Sequence, residues 1–131
     1  MLEYRKSTEL SFEDACAKVP GIISKNGFAV LAEIKTSDIL RSKGIDYTNL
    51  RTYDICNAAY AAKALGFDSG VETIIPCHLV VKGSGDHSEV SVQLPSEMFN
   101  SLHKEKTQEM ENFLGGIETK LKGIVDAMTN E

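Results

Sequence analysis

The chain has 131 residues, 42% of them hydrophobic and 25% charged, with a formal net charge of −5. That is enough for one domain with a sizeable core, and the composition excludes a disordered chain. The acidic balance and the scatter of Lys and Arg exclude the basic stripe of a nucleic-acid binder. No stretch reaches the roughly 20 apolar residues of a membrane span, and MLEYRKSTEL has no signal-peptide core, so a cytoplasmic protein without a membrane partner is expected.

Residues 2–8 set Leu2 and Tyr4 against Glu3 and Arg5, the alternation of a half-buried strand. Ser11 opens a helix with Glu13 and Asp14 in its first turn, where acids suit the dipole. Phe12, Ala15, Cys16, Val19 and Ile23 share one face of it; Pro20-Gly21 should kink it, and Asn26-Gly27 should end it. FAVLAEIK, residues 28–35, reads as a strand with Phe28, Val30, Ala32 and Ile34 on one side. Thr36 or Ser37 can cap a short helix that ends near Gly44. A strand over Leu50–Cys56 then leads to Asn57, a good cap for AAYAAKAL, with Gly66 as a natural stop.

The apolar run Val71–Val81 reads as a strand interrupted by Pro76. KGSGDHS is a turn, and Val90, Val92 and Leu94 alternate in SEVSVQL, so the two strands make an antiparallel hairpin. Ser96 caps a turn containing Met98, Phe99 and Leu102. From Met110 an apolar stripe at 110, 113, 114, 117, 121, 124, 125 and 128 marks a helix of about five turns. Gly115, Gly116 and Gly123 weaken that helix, so it needs a partner: one face of the sheet, or its twin in a dimer. The order β-α-β-α-β-α-β-β-α indicates an α+β, two-layer sandwich. Its five-stranded sheet should be mixed, mostly antiparallel, with helices on one face and a long C-terminal helix.

Three cysteines do not make a disulfide framework. Cys16 lies on an apolar helix face and reads as core. Cys56 stands just before a helix N-terminus, where unpaired N–H groups and the dipole favour a thiolate. Asn57 adds a polar group there, and Cys77 follows the break at Pro76. His78, next to Cys77 on a strand, faces the other way. Two thiolates and a further ligand could hold a soft metal, although the spacing of Cys56 and Cys77 is not that of a zinc ribbon. His87 and His103 read as solvated. Glu33, Asp38 and Asp54 offer carboxylates, but no pair of them and no Ser-His-Asp set can be argued. KGSGDHS lacks the Lys-Ser/Thr ending and following helix of a phosphate loop.

NGFAVLAEIKTSDILRSKGID, LRTYDICNAAYAAKALGFD, ETIIPCHLVVKG and SVQLPSEM, in this order, resemble the domain of unknown function 302 family. Its signature has a Gly-Phe-led strand, Cys-Asn-Pro at a strand-to-helix junction, Pro-Cys in the next strand and a proline after the last. The resemblance covers about residues 2–102 and lands on Cys56, Asn57, Pro76, Cys77 and Pro95. Ala58 stands in the place of the family's junction proline, which suits a first helical position without being required there. The resemblance implies a small α+β sandwich, commonly a homodimer, with no established activity. Residues 1–131 then form a single domain, with 1–102 as the family-like core and 103–131 as an added amphipathic helix.

Two functions compete, beside a third option, a purely structural fold with its site elsewhere. The first is a homodimeric binding module whose pocket near Cys56, Asn57 and Cys77 takes a small ligand or, through the two sulfurs, a soft metal. The second is a thiol-dependent enzyme or redox protein with Cys56 as thiolate and Cys77 as its partner. Neither implies a cofactor, and no catalytic residue can be assigned.

Overall fold

A two-residue turn organises the sheet. Ser84 pairs with His87, and between them Gly85 takes φ 68°, so the glycine supplies the left-handed backbone that closes a tight hairpin. The computed structural model describes residues 3–102 and 107–130. Its elements are β1 (Glu3–Thr8), α1 (Phe12–Lys25), β2 (Ala29–Ile34), α2 (Thr36–Ser42), β3 (Leu50–Cys56), α3 (Ala58–Phe67), β4 (Cys77–Ser84), β5 (His87–Gln93), α4 (Pro95–Leu102) and α5 (Gln108–Thr129), with a 3₁₀ turn over Ser69–Thr73. Leu2, the side chain of Leu102 and His103 lie outside the described residues.

The fold is α+β, with the five strands in the order β1-β5-β4-β3-β2. All four pairings are antiparallel, so the sheet is not mixed. Every connection but the β4–β5 hairpin carries a helix or a long loop. Even so, each strand runs opposite to its neighbour, because no helix acts as a crossover between adjacent parallel strands.

The inner face carries Val30, Tyr53, Ile55, Leu79, Val81, Val90 and Val92, which pack with the apolar stripes of α1 and α5 into the main core. Met110, Leu114, Ile117, Leu121, Ile124, Val125 and Met128 of α5 are all buried. Each such side chain contributes about 1.5–3 kcal/mol relative to exposure, so this helix is part of the domain's core and covers the sheet. A second cluster of Ala64, Val71, Phe99, Met110 and Leu114 joins α3 and α4 to the start of α5. The amide and hydroxyl of Ser96 both donate to Glu118 Oε1, the amide at 2.8 Å. Ser96 therefore ties α4 to α5. On β1, Tyr4 Oη and Lys6 Nζ reach Asp126 Oδ1 at 2.8 and 3.1 Å, fixing the end of α5 to the edge strand.

Four local expectations change. α1 runs unbroken through Pro20, which faces solvent. A proline has no N–H for the carbonyl four residues earlier, and the buried hydroxyl of Tyr53 donates to that carbonyl, Cys16 O, at 3.4 Å. Residues 71–76 are not strand: Val71 lies in the 3₁₀ turn, and β4 begins only after the cis Ile75–Pro76 bond, as a central strand. β2 carries a bulge between Val30 and Ala32, which breaks the alternation and leaves Leu31 and Ile34 exposed. Ser37 does not cap α2. Its hydroxyl receives the amide of Leu50 at 2.9 Å and donates to that residue's carbonyl.

Gly115, Gly116 and Gly123 face solvent, and a Cβ at any of them would meet nothing within 4 Å. Replacing each with Ala should therefore stabilise the protein by about 0.5–1 kcal/mol per site in urea denaturation. If the glycines were instead the seam of a helix-on-helix dimer, the same changes would weaken it.

Candidate functional site

Beneath the junction of β3 and α3 lies a cavity of about 60 Å³. Cys56 and Cys77 stand on its wall among Phe28, Tyr60, Val71 and Phe99. Ile55 pairs with Cys77 across β3 and β4, so Cys56 stands one residue beyond that pair, at the end of β3, and both cysteines border the same cavity. They do not form a disulfide; all three cysteines are free thiols. Burial, and secondarily the neighbouring Cys56, pushes the Cys77 thiol up to about 11. Cys77 is thus a neutral thiol at ordinary pH.

Asn57 has a structural task. Its Oδ1 accepts the Tyr60 amide at 3.0 Å and caps α3, while its Nδ2 donates to Gly27 O at 2.8 Å. Gly27 sits at φ 79° in the turn before β2. The side chain clamps that turn to the helix start. The positive helix tip assigned to the Cys56 sulfur is occupied by this carboxamide. Cys16 lies in the main core, with burial raising its thiol pKa. Among the described residues no group of three or more His, Cys, Asp or Glu side chains is placed to hold a metal ion.

The opposite face of the sheet holds a second, wider cleft walled by strand residues alone, among them Glu3, Thr52, His78, Ser91 and Gln93. Here His78 faces away from Cys77, as strand alternation requires. Its Nδ1 lies 2.5 Å from Oδ1 of Asp54, its cross-strand partner. Gln93 borders both cavities, and its Oε1 is enclosed without a hydrogen-bond partner. The sequence hid these residues: Asp54 and His78 are 24 positions apart, and only the register of β3 against β4 makes them neighbours. The remaining candidates are peripheral. His87 lies by the hairpin turn 3.5 Å from Asp86, Glu33 faces Lys35 at 3.9 Å, and Asp38 faces Arg41 at 3.3 Å.

A two-layer α+β domain with an apolar cavity at a strand-to-helix junction is the class of protein this geometry defines. The family model described as "Domain of unknown function DUF302" matches residues 4–128, and the chain belongs to that family. The matched span takes in α5, so the C-terminal helix is part of the family's pattern and no addition to it. The fold is similar to the crystal structure of an uncharacterized conserved DUF302 protein from Bacillus stearothermophilus. The TM-score is 0.85 and the identity 22%, over 96% of this chain and 97% of that one. No curated protein matches the chain. Among the described residues no helix is long and apolar enough to cross a membrane.

The raised Cys77 thiol has a consequence for stability. The folded state holds its proton up to about 11, whereas the unfolded thiol releases it near its ordinary value of 9.0. Below the ordinary value the contribution is present in full. It is lost as pH rises from about 9 through the folded value, because the unfolded chain binds fewer protons there. Urea midpoints should fall over that interval, and by less in Cys77→Ala. In the native protein at pH 8, Cys77 should resist iodoacetamide.

Proposed function

We propose that this domain is a homodimeric small-molecule-binding module that takes the apolar end of its ligand into the Cys56/Cys77 cavity. The observation that carries this reading is the cavity itself: a pre-formed space with apolar walls at the end of β3, bounded by side chains from α3, α4 and α5. Ligand sites favour concave, mostly apolar spaces with few polar groups, and the wall of this one is almost wholly apolar. Size narrows the ligand. Water takes up about 30 Å³ and a benzene-binding cavity about 150 Å³, so the present space suits a short alkyl or similar group while the rest of the ligand stays outside. The sulfurs act as small, polarizable wall groups.

The dimer rests on a surface pattern. Among the described residues all five exposed large hydrophobics, Leu31, Ile34, Ile39, Ile45 and Tyr47, fall in residues 31–47, at the β2 edge and the segment after it. Such a patch on an open sheet edge marks an interaction surface. The other edge, β1, is protected instead: Arg5 pairs with Glu3 and Glu89, and Lys6 with Asp126 of α5. A second copy fits β2 by its charges. Antiparallel pairing centred on Ile34 would place Glu33 opposite the copy's Lys35 and bring the two Ile34 side chains together.

A titration with 1-butanol, followed by amide NMR, should give saturable shifts at cavity residues such as Ala64, Val71, Phe99 and Ile117. Ala64→Phe, which fills the space, should abolish them; shifts that never saturate and spread over the whole surface would defeat the cavity reading. For the dimer, sedimentation equilibrium should return twice the chain mass, falling to one chain mass in Ile34→Lys. A wild-type monomer at high micromolar concentration would remove it.

A further inference from the structure

We infer that Asp54 and His78 form a general-base site on the outer face of the sheet, serving a small neutral molecule that carries a hydroxyl group. This inference does not depend on the cavity reading above, since it uses the opposite face and other residues.

The strand register assembles the site. Thr52, Val80 and Ser91 lie side by side across β3, β4 and β5. Asp54 and His78 make the next row of this face, and Gln93, paired with Glu3, lies one step past the Leu79–Val92 pair and so comes level with His78. The strands therefore set an imidazole, a carboxamide, two hydroxyls and the Glu3 carboxylate around one cleft, with the Asp54 carboxylate against the imidazole.

Within that group the roles are fixed by chemistry. An ionised carboxylate can only accept, so the 2.5 Å contact makes His78 Nδ1 the donor. In its neutral form the imidazole then carries its hydrogen on Nδ1 and keeps a free electron pair on Nε2, the arrangement of an oriented general base. Asp54 is shielded, its side chain 17% exposed, whereas His78 is 39% exposed and open to the cleft. A structural His–Asp tie would have no need of an open cleft beside it, and this one is bordered by further polar side chains, among them Gln93. The hydroxyls of Thr52 and Ser91 on the same face can both give and accept hydrogen bonds. Among the described residues no Lys or Arg lines the cleft, and its one carboxylate, Glu3, is paired with Arg5, which favours a neutral molecule over an anion.

The proton transfer conserves atoms and charge. The hydroxyl proton moves to Nε2 and the O–H electron pair stays on oxygen, which adds to the carbonyl carbon of an ester; the ester's C–O bond then breaks, with its electron pair leaving on the alcohol oxygen. The imidazolium keeps its Nδ1–H bond to Asp54, whose negative charge offsets the new positive one, and Nε2 later returns the proton to the leaving group. His78 is the base and Asp54 a positioning residue.

His87 is an internal control. Its side chain is 41% exposed, nearly the same as His78, but its Asp86 contact is 3.5 Å and that carboxylate is fully exposed. Diethyl pyrocarbonate, which acylates an imidazole nitrogen bearing a free electron pair, should therefore modify His78 about tenfold faster than His87. In Asp54→Asn the carboxamide can donate to Nδ1 and drive the hydrogen to Nε2. The rate at His78 should then fall about tenfold, and ¹⁵N NMR should show the change of tautomer. With p-nitrophenyl acetate and water as the probe reaction, a Cys56→Ser background removes the competing thiol. Nitrophenolate release there should exceed that of Cys56→Ser/His78→Gln by about tenfold or more. Equal acylation of the two histidines overturns the proposal. So does an Asp54→Asn protein with unchanged tautomer and rate, or ester cleavage indifferent to His78→Gln.

Discussion

One constraint governs this molecule: a strand's side chains alternate between two faces, and only one face of this sheet is covered by the α1 and α5 stripes. Its effect is plainest on β4. Cys77, Leu79 and Val81 turn inward to the core and its cavity, while His78, Val80 and Lys82 turn outward. Neighbouring residues thereby enter different chemistry. The inner face excludes water and keeps the Cys77 thiol protonated; the outer face leaves an imidazole reachable from solvent and locked by a carboxylate from the next strand. A single register, Ile55 on Cys77 and Asp54 on His78, assembles both places at once.

The junction of β3 and α3 shows how a motif that suggests reactivity can be architectural. Cys-Asn before an alanine-rich helix reads as a thiol at a positive tip. The asparagine takes that position itself, with one end on the Tyr60 amide and the other on the carbonyl of Gly27. A cap alone is worth about 1 kcal/mol. Here the same side chain also fixes where β2 starts, so it couples two segments that 30 residues separate. Small alanines at the start of α3 then leave room for the cavity that Ala61 and Ala64 line.

Much of the architecture is legible in the sequence, because it rests on local signals. The α1 face, the cap at Asn57, the hairpin at KGSGDHS and the long stripe of α5 are all set by spacing or by turn chemistry. Sequence and structure part where a distant group overrides a local rule. Pro20 stays within α1 because a tyrosine from the sheet serves its orphaned carbonyl. Val71 joins a 3₁₀ turn, packing in the second core with α3 and α5, although its neighbours look strand-like. The bulge at Val30/Ala32 leaves no mark in composition. For the sites, Cys56 and Cys77 are visible as residues and their shared cavity is not. Asp54, His78 and Gln93 become a group only through strand pairing.

The hydroxyl beneath Pro20 has a wider consequence. Tyr53 can reach the Cys16 carbonyl only while it points inward, so α1's odd carbonyl and β3's alignment certify each other. Sliding β3 by one residue would turn Tyr53 to solvent, exchange Asp54 into the core and strand a polar backbone group under the helix. A proline that looks like a flaw in the helix thus works as a register key: it makes the one wrong alignment nearest to the native one the hardest to adopt.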